Sequence, residues 1–125
     1  MPSFFQLDLN TFRCVSNDIS TDEVILTEER IKHIHERHPD HYLLIQQHLE
    51  EALKKPDYIF KDKKPDTGLV LKYIEVDDLR FQMVVRIHTP ADDPTFKNSI
   101  LSAWIISKKR WDSYVRNKKI LYQKE

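Results

Sequence analysis

Thr27 to His41 reads TEERIKHIHERHPDH, and this stretch places the first regular elements of the chain. The Thr27 hydroxyl is suited to cap a helix beginning at Glu28, and Glu28 and Glu29 favour that helix's positive end. Ile31 and Ile34 continue at helical spacing to His35 and His38. Pro39 then ends the helix around His38, because it has no backbone donor and disfavours helix in the residue before it. Asp40 can cap a second helix from His41 to about Lys54, with Leu44, Ile45, His48, Leu49, Ala52 and Leu53 as its inward stripe. Lys54 and Lys55 suit its negative end, and Pro56 stops it. Two helices in tandem are expected.

Outward from these helices the signals change. Between Ser3 and Val15 the apolar residues Phe4, Phe5, Leu7, Leu9, Phe12 and Val15 keep no clean period and fit either a strand or an arm. After Pro56 the period becomes two. Asp57 to Phe60 reads as a short strand, Lys61 to Gly68 as a turn, and Leu69 to Val76 with Leu79 to His88 as a hairpin around Asp77 and Asp78. In its second strand Leu79, Phe81, Met83, Val85 and Ile87 share one face, and Arg80, Gln82, Val84, Arg86 and His88 form a largely polar opposite face. Ser99 to Ser107 is apolar enough for the middle of a sheet. The expected architecture is α+β: a single domain over residues 1–125, with two N-terminal helices on an antiparallel sheet of about four strands. Its core would span about 24–110, followed by a basic tail at 111–125.

Composition narrows the function. A chain of 125 residues can bury roughly two-thirds of its unfolded surface without a disulfide or structural metal. Cys14 is its single cysteine, which points to the cytoplasm, and no run approaches the roughly 18 apolar residues of a membrane span. Gly68 is the only glycine, which excludes the Gly-rich phosphate loops and makes a nucleotide cofactor unexpected. Net charge is zero, yet Met1 to Phe60 holds 6 Lys+Arg against 11 Asp+Glu, and Lys61 to Glu125 holds 14 against 9. This asymmetry fits a basic face for a phosphate backbone and equally fits two ordinary solvated surfaces.

Four of the six histidines lie between His33 and His41. Histidine is the side chain whose ordinary pKa, about 6.5, suits proton transfer near neutrality. A metal reading fails on spacing. His35-Glu-Arg-His38 is one residue short of a helical zinc pair, and His33 and His35 point about 200 degrees apart on a helix. Cys14 has no local acid–base signature, and no serine sits in a glycine-rich elbow. Cleavage of RNA through its own 2'-hydroxyl does use the residue types present. It needs one group to remove that proton, another to protonate the departing 5'-oxygen, and cations around the phosphorane. The candidates are His33, Arg37 and His38 on the first helix, and Lys72, Arg86 and Ser102 on the sheet, with no cofactor and no metal. His33, Arg37 and His38 should meet the sheet, whereas His35 need not. The plainer readings are that Arg86 pairs with Glu75 across the hairpin, Ser102 satisfies a strand hydrogen bond and His38 caps the first helix.

The order TEERIKHIHERHPDH, LEEALKKPDYIF, LVLKYIEV, LRFQMVVRIHT and SILSAWIISKK resembles the phage-associated branch of the barnase/EndoU/colicin/RelE-like (BECR) nuclease superfamily. The most distinctive element is HI-x-x-RHP at His33 to Pro39, followed by a helix that ends before KPD. The resemblance implies a metal-independent endoribonuclease domain of the kind met in toxins and mobile-element proteins, with RNA as substrate and an antitoxin or immunity protein as partner. It places the family's histidine pair on His33 and His38, the intervening cation on Arg37, and polar sheet positions on Arg86 and Ser102. Lys72 comes from the strand pattern alone, and Val70, Ile74 and Val76 on its side of the strand count against it.

The tail from Lys108 to Glu125 carries 7 Lys+Arg against 2 Asp+Glu, with Trp111, Tyr114 and Tyr122 interleaved. Lys108, Lys109, Arg110, Lys118 and Lys119 are its candidate RNA contacts. A terminal helix with a greasy docking face gives the same pattern and is the favoured reading for the aromatics. The competing functional class is a catalytically silent domain of the same fold that binds RNA or a protein through this tail.

Overall fold

The computed structural model describes residues 2–125. In chain order the elements are β1 (Ser3–Gln6), α1 (Leu9–Phe12), β2 (Glu23–Leu26), α2 (Glu28–Arg37), α3 (Tyr42–Lys54), β3 (Tyr58–Lys61), β4 (Thr67–Ile74), β5 (Leu79–Arg86), β6 (Asn98–Ile106), α4 (Lys108–Asn117) and β7 (Ile120–Gln123). All the strands join one seven-stranded sheet in the order β1-β2-β6-β5-β4-β3-β7. Every neighbouring pair is antiparallel except β2 and β6, which run parallel.

The expectation of two helices on a four-stranded antiparallel sheet is corrected on three counts: the sheet has seven strands, it is mixed, and four helices accompany it. Apart from α4, the added pieces are short. β1, α1, β2 and β7 have 4 residues each, too few for a period to show in sequence, and pairing fixes the strands among them. Asp8 caps α1 by accepting from the Asn10 and Thr11 amides. The basic tail folds as the terminal helix expected for its aromatics, α4, and adds a strand, β7, paired with β3.

Where the periodic signals are long, the elements stand close to the expected bounds. Thr27 caps α2 by accepting from Arg30 N at 3.2 Å. The start of α3 differs: His41 rather than Asp40 occupies the N-cap position, and no side chain caps that end. The hairpin pairs β4 with β5 from Thr67↔Arg86 to Ile74↔Leu79, so Arg86 and Glu75 lie at opposite ends and cannot meet.

Two apolar layers sandwich the sheet. The larger buries Ile34 of α2 and Ile45, Leu49, Ala52 and Leu53 of α3 against Ile59, Val70, Phe81, Met83, Val85, Ile100 and Ala103. On the other face Phe60, Leu69, Leu71 and Ile106 are covered by Trp111, Tyr114 and Val115 of α4. That face reads as polar from β5 alone, but β3 and β4 supply its apolar surface. Tyr114 Oη meets the polar strand directly, donating to Gln82 Oε1 at 3.0 Å. Gly68 serves packing, since a Cβ there would lie 2.9 Å from a Val15 methyl and 3.1 Å from an Ile59 methyl. No helix among the described residues is long and apolar enough to cross a membrane.

Candidate active site

The early end of β2 creates the site. β2 pairs with β6 only at Val24↔Asn98 and Ile25↔Ser99, after which the chain turns into α2 at its Thr27 cap. α2 therefore lies beside the remainder of β6, where a strand would otherwise continue, and packs Ile34 into the core. Arg30 ties the two elements together by donating through its Nη1 to Leu101 O at 3.1 Å. Opposite this contact β6 bulges: Val84 pairs with Ser102 and Val85 with Ile100, leaving Leu101 as the extra residue. A bulge re-aims the side chains that follow it.

Between α2 and this stretch of β6 is a cleft of about 420 Å³. α2 contributes Arg30, His33, Ile34, Arg37 and His38, and β6 contributes Leu101, Ser102, Ala103 and Trp104. The helical positions fall at i, i+3, i+4, i+7 and i+8, which is one continuous face. His38 lies nearly parallel to Trp104, with ring centroids 6.2 Å apart and an interplanar angle of 24°. Its backbone N–H also closes α2 by donating to Ile34 O at 2.8 Å. His35 is off this face and meets Tyr42 edge-on at 5.0 Å.

The cleft lining carries two guanidiniums, two imidazoles and one hydroxyl, and no carboxylate. Such a surface attracts an anion and offers groups that can both give and take protons. Among the described residues no group of three or more His, Cys, Asp and Glu side chains is placed to hold a metal ion.

Of the six sequence candidates, His33, Arg37, His38 and Ser102 share this cleft, while Arg86 and Lys72 lie elsewhere. Arg86 pairs with Asp92 at 3.1 Å, also contacts Ile87 O, and lines a separate cavity of about 480 Å³. The Thr89 amide and the Arg86 guanidinium hold the Asp92 carboxyl below its ordinary range. Lys72 is buried on the helical side of the sheet, where its Nζ donates to Lys55 O at 2.7 Å. It thus neutralises the negative end of α3. Lys72 also borders a cavity of about 740 Å³, which mixes Lys72, Arg80, Lys108 and Lys124 with Glu51, Asp57, Glu75 and Asp112. Charges so balanced give little net attraction for phosphate.

The basic residues of α4 and the turn after it stand apart from the cleft lining. Lys108 pairs with Asp112 at 3.0 Å, Lys118 lies over the Tyr114 ring at 5.1 Å, and Lys109, Arg110 and Lys119 are exposed. Burial pushes the Cys14 thiol up, and its Sγ donates to Thr11 O at 3.1 Å, so it is poorly suited to act as a nucleophile.

Two cleft residues escape the sequence reading, although each had a signal. Arg30 lies three residues before His33 and seven before Arg37, on their helical face. Trp104 lies two residues beyond Ser102, on the same side of β6.

No curated protein and no solved structure matches the chain in comparison with known proteins. A family model does, over residues 5–123, and its description is phage-Barnase-EndoU-ColicinE5/D-RelE like nuclease2. That match takes in β2, the cleft-forming α2 and β6, and nearly all of the rest of the sheet; the chain belongs to this family of nucleases.

Proposed function

We propose that this nuclease is a metal-independent endoribonuclease whose chemistry takes place in the α2–β6 cleft. The observation that carries the reading is the joint presence of His33, His38, Arg30, Arg37 and Ser102 around one opening that has no carboxylate. The substrate's 2'-oxygen attacks the adjacent phosphorus while one imidazole removes its proton. The bond from phosphorus to the 5'-oxygen breaks, and the other imidazole supplies a proton to that oxygen. The products are a 2',3'-cyclic phosphate and a 5'-hydroxyl. Arg30 and Arg37 face the non-bridging oxygens as charge builds on them, a role for which forked guanidinium donors are well suited. Ser102 adds a hydroxyl donor, and Trp104 offers a ring on which a base beside the scissile bond can stack. Lys108, Lys109, Arg110, Lys118 and Lys119 supply a longer-range hold on the backbone.

In this reading the enzyme works in the cytoplasm as a toxin or mobile-element effector, and an inhibitor would act by covering the cleft. The test is incubation of purified protein with RNA in EDTA, followed by analysis of the ends. Cleavage should leave cyclic phosphates, and His33→Ala and His38→Ala should each lower kcat by roughly 100- to 10,000-fold. Strict dependence on a divalent ion, or equal cleavage of DNA, would overturn the proposal. RNA binding without cleavage in the wild type would favour the silent domain.

A further inference from the structure

The 480 Å³ cavity next to the cleft has an aromatic side chain at its mouth that the core does not use. Phe96 is 65% exposed, yet it belongs to a well-pinned loop. Its amide donates to Asp93 O at 3.0 Å, and the Thr95 amide and hydroxyl donate to Asp93 Oδ1 at 2.9 and 2.8 Å. His88 Nε2 donates to Asp93 O at 2.6 Å from the end of β5. The Thr89 amide donates to Asp92 Oδ2 at 2.9 Å, so Asp92 anchors the loop's first half to Arg86 and Thr89 together. An apolar ring held in water by this many bonds is poised to be covered by something that binds there.

Two residue pairs join this cavity to the cleft. Thr27 and Ser99 line the cavity, and Arg30 and Leu101 line the cleft. Thr27 and Arg30 are about one turn apart on the α2 face, and Ser99 and Leu101 are two residues apart on β6. A strand lying in the cleft therefore continues into the cavity along the α2–β6 seam.

The charges in the cavity say which part of that strand belongs there. Arg86 is neutralised by Asp92, and Lys97 by Glu23. With those cations engaged, the cavity suits an uncharged flat group in place of a phosphate. We infer that the cavity is a nucleobase subsite for a nucleotide beyond the two that flank the scissile bond, with Phe96 as its stacking platform. This rests on the proposed reading of the cleft as the site of RNA cleavage. Stacking on a side chain accepts any base face, so the subsite adds affinity and length preference more than sequence choice.

The experiment compares steady-state cleavage of a dinucleotide and a hexanucleotide by the wild type, Phe96→Ala and Phe96→Tyr. The exposed position lets both variants fold. With the hexanucleotide, Phe96→Ala should raise KM about 5- to 100-fold at unchanged kcat, and Phe96→Tyr should behave as the wild type. With the dinucleotide, all three enzymes should be alike. Equal KM values on the hexanucleotide, or an equal loss on both substrates, would overturn the subsite. Anisotropy with a non-cleavable 2'-O-methyl hexanucleotide separates this inference from the reading beneath it. If the wild type does not cut but Phe96→Ala still weakens binding by the same factor, the subsite stands and the catalytic reading falls. If binding is unchanged, the subsite falls as well.

Discussion

Lys72 and Arg86 are the two cations whose chemistry sequence leaves open, and each is decided by the partners it meets in the fold. Buried Lys72 donates to Lys55 O at 2.7 Å at the end of α3, with Glu51 Oε1 3.9 Å away. Replacing it with Met keeps the stem and leaves that carbonyl without its donor, at a cost of about 1–3 kcal/mol. Lys72→Met should lower the denaturant midpoint and leave kcat unchanged, whereas a 100-fold loss of kcat at full stability would return Lys72 to the chemistry. Arg86 is held by Asp92, whose carboxyl the Thr89 amide and Arg86 keep below its ordinary range. A lowered acid stabilises the fold fully above the unfolded value, about pH 3.9, and loses that contribution as pH falls through the folded value. Urea midpoints of the wild type and Asp92→Asn should therefore differ at neutral pH and converge in acid. A gap of constant size down to pH 2 would show that Asp92 acts without its charge.

At the scale of elements, legibility follows length. α2, α3, β4, β5 and β6 each span 8 residues or more, long enough for period and caps to speak, and sequence places them nearly as they stand, while α4, at 10 residues, is legible only as a terminal helix without bounds. The cleft face of α2 is legible for the same reason, because spacing alone puts His33, Arg37 and His38 on one side. Hidden from sequence is the parallel pairing of β2 with β6, a contact between distant segments that fixes where α2 lies. Without it, nothing told that Arg86 would face a separate cavity while Ser102 faced the cleft. Gly68 shows the same limit. It reads as a turn residue, yet it is buried in β4 and its missing Cβ makes room for Val15, which follows α1. Gly68→Ala should cost about 1–3 kcal/mol by overpacking, measured as a fall in Tm, with catalytic constants at saturating substrate retained. Unchanged Tm would mean that the segment after α1 is free to move aside.

For the molecule as a whole, the question is whether residues 108–125 are an appendage for RNA or part of the fold. Their charge suggests the first and their packing the second. α4 covers Phe60, Leu69, Leu71 and Ile106, all nearly or fully buried, and β7 supplies the outer partner of β3. Exposing four such side chains at about 1.5–3 kcal/mol each costs on the order of 6–12 kcal/mol, comparable with the roughly 5–15 kcal/mol that holds a domain together. Truncation after Ser107 should therefore abolish cooperative unfolding and leave an aggregation-prone chain, because β3 would also become a bare sheet edge. Charge reversal isolates the other role. Lys109→Glu with Arg110→Glu changes exposed positions that cover no core, so the fold should persist while RNA affinity falls and its salt dependence flattens. A truncated protein that stays folded and merely binds RNA more weakly would make the tail an appendage. The expected split, with stability lost on truncation and affinity lost on reversal, makes one helix serve both layers, its aromatic face closing the sheet and its basic face turned to solvent.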